Sequence, residues 1–176
     1  MHGRFVHTAA TYLEAYSTIG HARPECRERA HAGTKAILDG LGALWSDGRG
    51  CYALRLTDGD LDDRLDSASF ALVSAFEAVA SLDTIDPDRL DRLAEHVATA
   101  IEALSRDPDG SEAAGLIRYE GDRWRRDGQD AEKLWSVSTG WGAVAAVGLA
   151  DLLDRHGRDG DRFRDTATEL FDLLGT

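Results

Sequence analysis

Residues 66–105 read DSASFALVSAFEAVASLDTIDPDRLDRLAEHVATAIEALS, and this stretch decides the fold. Its first half, residues 66–81, begins with an aspartate and is apolar on all sides, which is typical of a buried helix. Its second half, residues 86–105, begins with Asp-Pro, an N-cap residue followed by proline in the first turn, and has opposite apolar and charged faces. The stretch therefore predicts an inner helix followed by an outer amphipathic one.

Helical periodicity covers most of the remaining chain. It predicts further helices at residues 4–19, 24–45, 134–155 and 161–174. Three times over, an apolar or small-residue helix is followed by an amphipathic and charged one. Stacked helical hairpins with an inner and an outer layer have this pattern. We therefore expect an all-α fold of stacked hairpins, in a single domain over residues 1–176.

A short polar stretch separates the first and second pairs of helices. CYALRL at residues 51–56 alternates partly and predicts a short strand, and the aspartate-rich run after it predicts an acidic loop. Three of these aspartates repeat the opening of a calcium-binding loop, but the glycine and the glutamate that such a loop needs are missing. The histidines form no ligand pair at helical spacing, and no glycine-rich loop follows a strand. The sequence predicts no metal site and no cofactor.

The composition is strongly acidic. The 176 residues include 32 acidic and 20 basic ones, for a net charge of −12, and the only lysines are Lys35 and Lys133. A nucleic-acid partner needs a basic face, so this balance argues against one. An acidic surface with arginine in place of lysine is similar to that of halophilic proteins, in which concentrated salt screens self-repulsion. The alternative is an ordinary acidic cytosolic protein.

The location is predicted from the absence of targeting signals. No stretch approaches the ~20 consecutive apolar residues of a membrane helix, and no basic segment followed by an apolar one opens the sequence. We expect a cytoplasmic protein without a membrane partner. Cys26 and Cys51 are too few for a disulfide framework, and we expect both to be reduced and buried.

Residues 115–142, GLIRYEGDRWRRDGQDAEKLWSVSTGWG, concentrate aromatic side chains among fixed charges. The candidate binding residues in this stretch are Arg118, Tyr119, Asp122, Trp124 and Trp135. Aromatic rings stack on the C–H face of a sugar, while guanidinium and carboxylate groups orient its hydroxyls. The other interpretation is that the rings anchor a loop over a helical core.

The run Arg118-Tyr119-x-x-Asp122-x-Trp124, followed about ten residues later by Trp135 at the head of a helix, resembles the substrate loop of the glucoamylases, glycoside hydrolase family 15, of archaeal and bacterial type. That family folds as a toroid of six helical hairpins, so three hairpins imply about half of an (α/α)6 toroid. The resemblance implies that Arg118 and Asp122 hold glucose hydroxyls while the aromatic residues wall the pocket. A Glu-Lys-Leu run precedes Trp135 where many members have Gly-Asn-Pro.

The resemblance further implies an inverting α-glucosidase of carbohydrate metabolism, like a glucan 1,4-α-glucosidase, with two catalytic glutamates. Residues 3–8, GRFVHT, are similar to the helix start that follows the first glutamate, which would then lie just before Met1. Residues 163–174 are similar to the helix preceding the second glutamate, which would lie after Thr176. We therefore expect a truncated, partial catalytic toroid that lacks both glutamates and is inactive alone, so its catalytic residues are unknown.

Several alternatives stay open. Residues 65–69, LDSAS, resemble a family segment in which Asp66 either caps the next helix or points into the pocket. Glu120, Asp122 and Glu132 share one loop and, together with Asp66, offer a local set of carboxylates of which two could carry out acid–base chemistry. The expected ligand is an α-glucan or a small α-glucoside.

We also expect the end hairpins to expose apolar side chains, at which a complementary chain or a second copy binds. These side chains are Phe5, Tyr12 and Tyr16 at one end, and Leu170, Phe171 and Leu174 at the other. The competing classes are a non-catalytic helical module that binds sugar or protein, and a solenoid scaffold with polar caps.

Overall fold

The computed structural model describes residues 3–106, 114–121, 123–126 and 129–175, and for residues 3, 123–126 and 129–132 it describes the backbone only. The chain is mostly helical, with six α-helices among these residues. They are α1 (Val6–Ala22), α2 (Arg27–Leu41), α3 (Ala71–Leu82), α4 (Pro87–Leu104), α5 (Ser136–Arg155) and α6 (Asp161–Asp172). The prediction of a mainly helical fold is confirmed, and all six helices lie where periodicity predicts them.

Short strands occupy the connections between helices. They are β1 (Gly3–Phe5), β2 (Trp45–Ser46), β3 (Cys51–Tyr52), β4 (Arg55–Thr57), β5 (Asp60–Asp62), β6 (Ser105–Arg106), β7 (Gly115–Leu116), β8 (Arg123–Arg126) and β9 (Gln129–Glu132). All pairings are antiparallel, in the orders β1-β4-β5, β2-β3, β6-β7 and β8-β9. Only the strand at residues 51–56 was predicted, and the structure divides it into β3 and β4.

The chain divides into two compact units. The N-terminal unit comprises Met1–Asp63 and Ala71–His96, and the C-terminal unit comprises Arg64–Phe70 and Val97–Thr176. Helix α4 thus contributes its first half to one unit and its second half to the other.

In the N-terminal unit, α1 packs against both α2 and α3. Gly20 on α1 permits this close approach, because a Cβ atom there would lie 2.6 Å from the Cβ of Ala30 and 3.0 Å from a Leu82 methyl group. Leu13 and Phe76 are fully buried between these helices' apolar faces. The helix predicted from residue 4 begins instead at Val6, since residues 3–5 pair with β4.

The run predicted as an acidic loop forms the hairpin β4–β5, so that prediction is wrong. Asp58 and Gly59 connect the strands with φ angles of 51° and 92°. Positive φ at both central residues defines the two-residue turn whose twist suits a hairpin, and Asp-Gly is a preferred sequence for it. Residues 55–57 pair with residues 60–62, so Asp60 and Asp62 are strand residues.

In the C-terminal unit, α5 packs against α6 and is the central buried helix. Gly160 precedes α6, and a Cβ atom there would lie 2.6 Å from the carbonyl oxygen of Ala150. This glycine lets the chain pass directly against the backbone of α5. Leu170 was predicted to be exposed and is buried, because it lies on the inner face of α6 near Gly142.

Helix α5 corrects the expectation that no stretch is as apolar as a membrane helix. By length and composition it qualifies as a candidate span, although more than half of it is buried in the structure. A buried core helix of a soluble protein passes the same test, so this composition is weak evidence for a span.

Both cysteines are free, as expected. Cys51 is fully buried, whereas Cys26 is only half-buried, so the prediction of burial is wrong for Cys26. Cys26 lies in the short 3₁₀ turn Pro24–Cys26, in which no residue is buried.

Candidate functional site

The segment 115–120 lies between two others, with antiparallel pairing on both sides. Asp66 pairs with Tyr119 on one side, and Leu134 pairs with Ile117 on the other. Backbone pairing therefore holds residues 117–119 between Asp66 on one side and Leu134 on the other.

Three hydrogen bonds hold residues 118–120 against residues 65–67. The backbone N–H of Ser67 donates to the carbonyl oxygen of Arg118 at 2.8 Å, and that of Glu120 donates to the carbonyl oxygen of Leu65 at 3.0 Å. The N–H of Leu65 in turn donates to Oε2 of Glu120 at 2.7 Å. The Glu120 carboxylate thus fastens the two segments together, which is a structural role.

On the other side of this segment, Trp135 is the N-cap residue of α5. Its N–H donates to the carbonyl oxygen of Leu116 at 2.9 Å. The buried hydroxyl of Thr139 accepts from the N–H of Leu116 at 3.0 Å and donates to the carbonyl oxygen of Trp135 at 3.1 Å. A Cβ atom at Gly115 would lie 3.0 Å from that hydroxyl, so glycine fits this position best.

These constraints bring Arg118 over two aromatic rings. Its Cζ atom lies 4.8 Å from the ring centroid of Tyr119 and 5.3 Å from that of Trp135. All three side chains are half-buried. A guanidinium over an aromatic face contributes about 0.5 to 1 kcal/mol per ring at such a site. Three of the five candidate binding residues therefore form one cluster, which we name the Arg118 stack (Arg118, Tyr119 and Trp135).

Asp66 caps the short 3₁₀ helix Ser67–Phe70 that leads into α3. Its Oδ1 accepts a hydrogen bond from the N–H of Ala68 at 2.8 Å, and its carbonyl oxygen accepts one from the N–H of Ser69 at 2.9 Å. The capping role that the sequence suggests is confirmed. The pairing with Tyr119 also brings Asp66 to the edge of the Arg118 stack.

The other two candidate residues are described less fully. Asp122 lies outside the described residues. Trp124 lies on β8, where its backbone pairs with Ala131, and its side chain is outside the described part of the chain. The non-repetitive loop predicted here contains the hairpin β8–β9, whose Glu132 side chain is likewise undescribed.

A buried hydroxyl pair in the C-terminal unit was not predicted. The Oγ atoms of Ser67 and Ser138 lie 3.0 Å apart and join the 3₁₀ helix Ser67–Phe70 to α5. Two serines at such a distance along the chain give no sequence signal, because each resembles an ordinary helix-start residue.

The sequence also missed an aromatic cluster in the N-terminal unit. The Tyr52 ring meets Trp45 and His96 edge-on, at centroid distances of 5.1 and 5.5 Å, and Arg92 lies over Trp45 at 5.2 Å. Burial raises the pKa of the Tyr52 hydroxyl to about 12, although the nearby charges of Arg92 and Arg89 act to lower it. The cluster fixes α4 against β2 and β3.

In the part of the chain that the structure describes, no three His, Cys, Asp or Glu side chains lie close enough to hold a metal ion.

Comparison with known proteins gives no relative. No protein-family model, no curated protein and no solved structure matches this chain. The likeness to glycoside hydrolase family 15 therefore stays a prediction from the residues quoted for it.

Proposed function

We propose that the C-terminal unit binds a small α-glucoside, or the end of an α-glucan, at the Arg118 stack. The observation that carries the proposal is one guanidinium held 4.8 and 5.3 Å from the centroids of two aromatic rings. The rings offer flat faces for the C–H side of a pyranose. A guanidinium group also carries N–H donors of the kind that recognise hydroxyl oxygens.

Asp66 adds a carboxylate to this surface. It is half-buried and paired with Tyr119 through the backbone, and Oδ1 accepts one hydrogen bond from Ala68. A carboxylate has about four lone-pair sites, so it also accepts hydrogen bonds from sugar hydroxyls. Asp122, which the family resemblance assigns to the same hydroxyls, completes the proposed set with Trp124.

The proposal is binding without turnover by this chain alone. Hydrolysis of a glycoside requires two carboxylates that flank the scissile bond. Glu120, which is adjacent to the stack, is engaged with the backbone of Leu65 at 2.7 Å. The unit would thus be a glucoside-binding part of an (α/α)6 toroid, the architecture that the family resemblance implies.

Calorimetric titration with maltotriose tests this proposal. We expect the wild-type chain to bind in concentrated KCl, and Arg118→Gln and Trp135→Phe to weaken binding at least tenfold. Arg92→Gln and Trp45→Phe are matched controls, because Arg92 lies over Trp45 at 5.2 Å in the N-terminal unit. The controls remove the same kind of contact and should bind maltotriose as the wild type does.

Two results would contradict the proposal. One is wild-type protein that shows no heat of binding with maltotriose, maltose or a longer α-glucan. The other is equal weakening by the Arg118 and Arg92 variants, which would assign the effect to general destabilisation. Glucose release that Arg118→Gln abolishes would overturn the expectation of binding without turnover.

A further inference from the structure

The solvent side of α5 carries a continuous apolar stripe. Its members are Val137, Trp141, Val144 and Val147, at helical spacing on one exposed face. The sequence contains no charged residue between Lys133 and Asp151. A surface helix ordinarily presents charged and polar side chains on its outer face. An exposed apolar face of this kind marks an interaction surface.

Helix α6 extends the stripe into a groove. The groove between α5 and α6 measures about 560 Å³, and its lining is Ala143, Val144, Val147, Arg164, Ala167, Thr168 and Phe171. Phe171 is 69% exposed. Leu174, also exposed, lies beside Gly140, where a Cβ atom would be 3.8 Å from a Leu174 methyl group. The stripe, Phe171 and Leu174 thus form one surface, which we name the α5–α6 face.

We propose that the α5–α6 face binds a second copy of the chain about a two-fold axis. The face contains both a protruding side chain, Trp141, which is 50% exposed, and a groove one to two turns further along α5. A two-fold axis that passes between them exchanges the two features. Each copy then inserts its Trp141 into the groove of the other, and the surface is complementary to itself.

The area of the face fits such a dimer. Its exposed apolar side chains present on the order of 600 Å² per copy, so a two-fold contact buries on the order of 1,200 Å², where specific interfaces begin. A patch of this size is at the upper end of the range for the largest apolar patch on a monomer, and such patches often serve a function. Trp141 and Phe171 provide the large aromatic anchors that dominate interface energies.

The apolar stripe, and not the charge around it, favours a second copy over a basic partner. Asp151, Asp154 and Asp161 all pair with Arg164, whose single charge balances one of the three carboxylates. The stripe itself offers no charge for a basic helix to pair with. Two copies of net charge −12 repel each other, and salt screens that repulsion. The dimer should therefore tighten as salt is added, whereas a basic partner would be released.

Sedimentation equilibrium of the full chain at about 0.1 M and about 2 M KCl tests the proposal. We expect a dimer that is tighter at the higher concentration, and a Val144→Glu variant whose dissociation constant is at least tenfold larger. Val144 is 68% exposed, so the substitution leaves the core intact. Ile19→Glu is the matched control, because Ile19 is an apolar residue of α1 with 48% exposure. It should dimerise like the wild type.

A disulfide cross-link between two copies locates the two-fold axis of the proposed dimer. Val144 follows Trp141 by about one helical turn and lines the groove, so Val144→Cys in a Cys26→Ser background should form a disulfide between copies on oxidation. A wild-type chain that stays monomeric at both salt concentrations would overturn the proposal. So would a dimer that Val144→Glu leaves unchanged, a dimer that loosens with salt, or a dimer that fails to cross-link through position 144.

Discussion

The Nδ1 atom of His96 lies 3.1 Å from the backbone nitrogen of Tyr52 and accepts its hydrogen bond inside the N-terminal unit. His96 is fully buried and stands edge-on to the Tyr52 ring. An imidazole that accepts at Nδ1 is neutral and carries its proton on Nε2. The bond joins α4 to β3, so one side chain connects a helix to the segment between α2 and α3.

Replacing this acceptor should destabilise the N-terminal unit. In His96→Leu the N–H of Tyr52 is buried without its acceptor, which costs about 1 to 3 kcal/mol. His96→Asn keeps an acceptor near the position of Nδ1 and should lose less. Urea unfolding measures both variants, with His21→Leu at an exposed histidine as the control. Equal losses in the Leu and Asn variants would show that the hydrogen bond contributes little.

Tyr52 should make the chain sensitive to alkali. Below about pH 10 the hydroxyl is neutral in both states, but between about pH 10 and its raised pKa of about 12 only the unfolded chain ionises. Stability should therefore fall by about 2 to 3 kcal/mol over this window. Unfolding curves at successive pH values measure the decline. Tyr52→Phe should remove it and the exposed-site variant Tyr12→Phe should not; a decline that survives Tyr52→Phe refutes the assignment.

At acid pH, the group whose ionisation should affect the stability of the fold is Asp154. Its hydrogen bond with Arg164 holds the pKa of this carboxyl below the ordinary 3.8, and burial opposes the effect only partly. Since the folded pKa is lowered, the stabilisation is present above the ordinary value and is lost as the pH falls through the folded pKa.

Arg164→Gln should raise the pKa of Asp154 towards its ordinary value, as measured by carboxyl NMR titration. Asp39 is an internal control, because Lys35 and Arg89 lower its pKa through separate contacts. An Asp154 titration that is unchanged in Arg164→Gln would assign the lowered pKa to the N–H of Gly160, which donates to Oδ1 at 3.2 Å.

Two glycines of the C-terminal unit should respond to alanine in opposite directions. Gly160→Ala places a methyl group 2.6 Å from the backbone of Ala150, so the helices must shift, at about 1 to 3 kcal/mol. Gly140→Ala, inside α5, meets nothing nearer than a Leu174 methyl at 3.8 Å and should stabilise by about 0.5 to 1 kcal/mol. Thermal unfolding compares the two variants. If Gly140→Ala, which meets no crowding, also destabilises the chain, the loss of stability in Gly160→Ala cannot be assigned to backbone crowding.

Sequence periodicity predicted the helices because burial on one face leaves a direct mark on residue order. It placed the capped start of α4 correctly, since Asp86 with Pro87 is a local feature, and it placed the start of α5 two residues before the observed Ser136. Apart from residues 51–56, it missed the strands, because pairing such as that of residues 3–5 with β4 depends on distant partners. The Asp58-Gly59 hairpin was the exception, since its turn signal was present and was taken for part of a loop.

The candidate site was predicted only in part. Arg118, Tyr119 and Trp135 come together as their shared stretch suggests, because the chain returns on itself between two anchored ends. The contributions of Ser67, Ser138 and Thr139 come from other segments and carry no local pattern. The Tyr52 cluster was missed for the same reason, since its members Trp45 and His96 are separated along the chain.

The order of synthesis gives α5 a special position. Its partners on one side, the 3₁₀ helix Ser67–Phe70 and β7, leave the ribosome before it, but α6 emerges after it. Until α6 emerges, a helix with the length and composition of a membrane span lacks the helix that packs against it. Completion of this unit during translation therefore awaits its last helix, and nascent chains halted before α6 should be the form that chaperones retain.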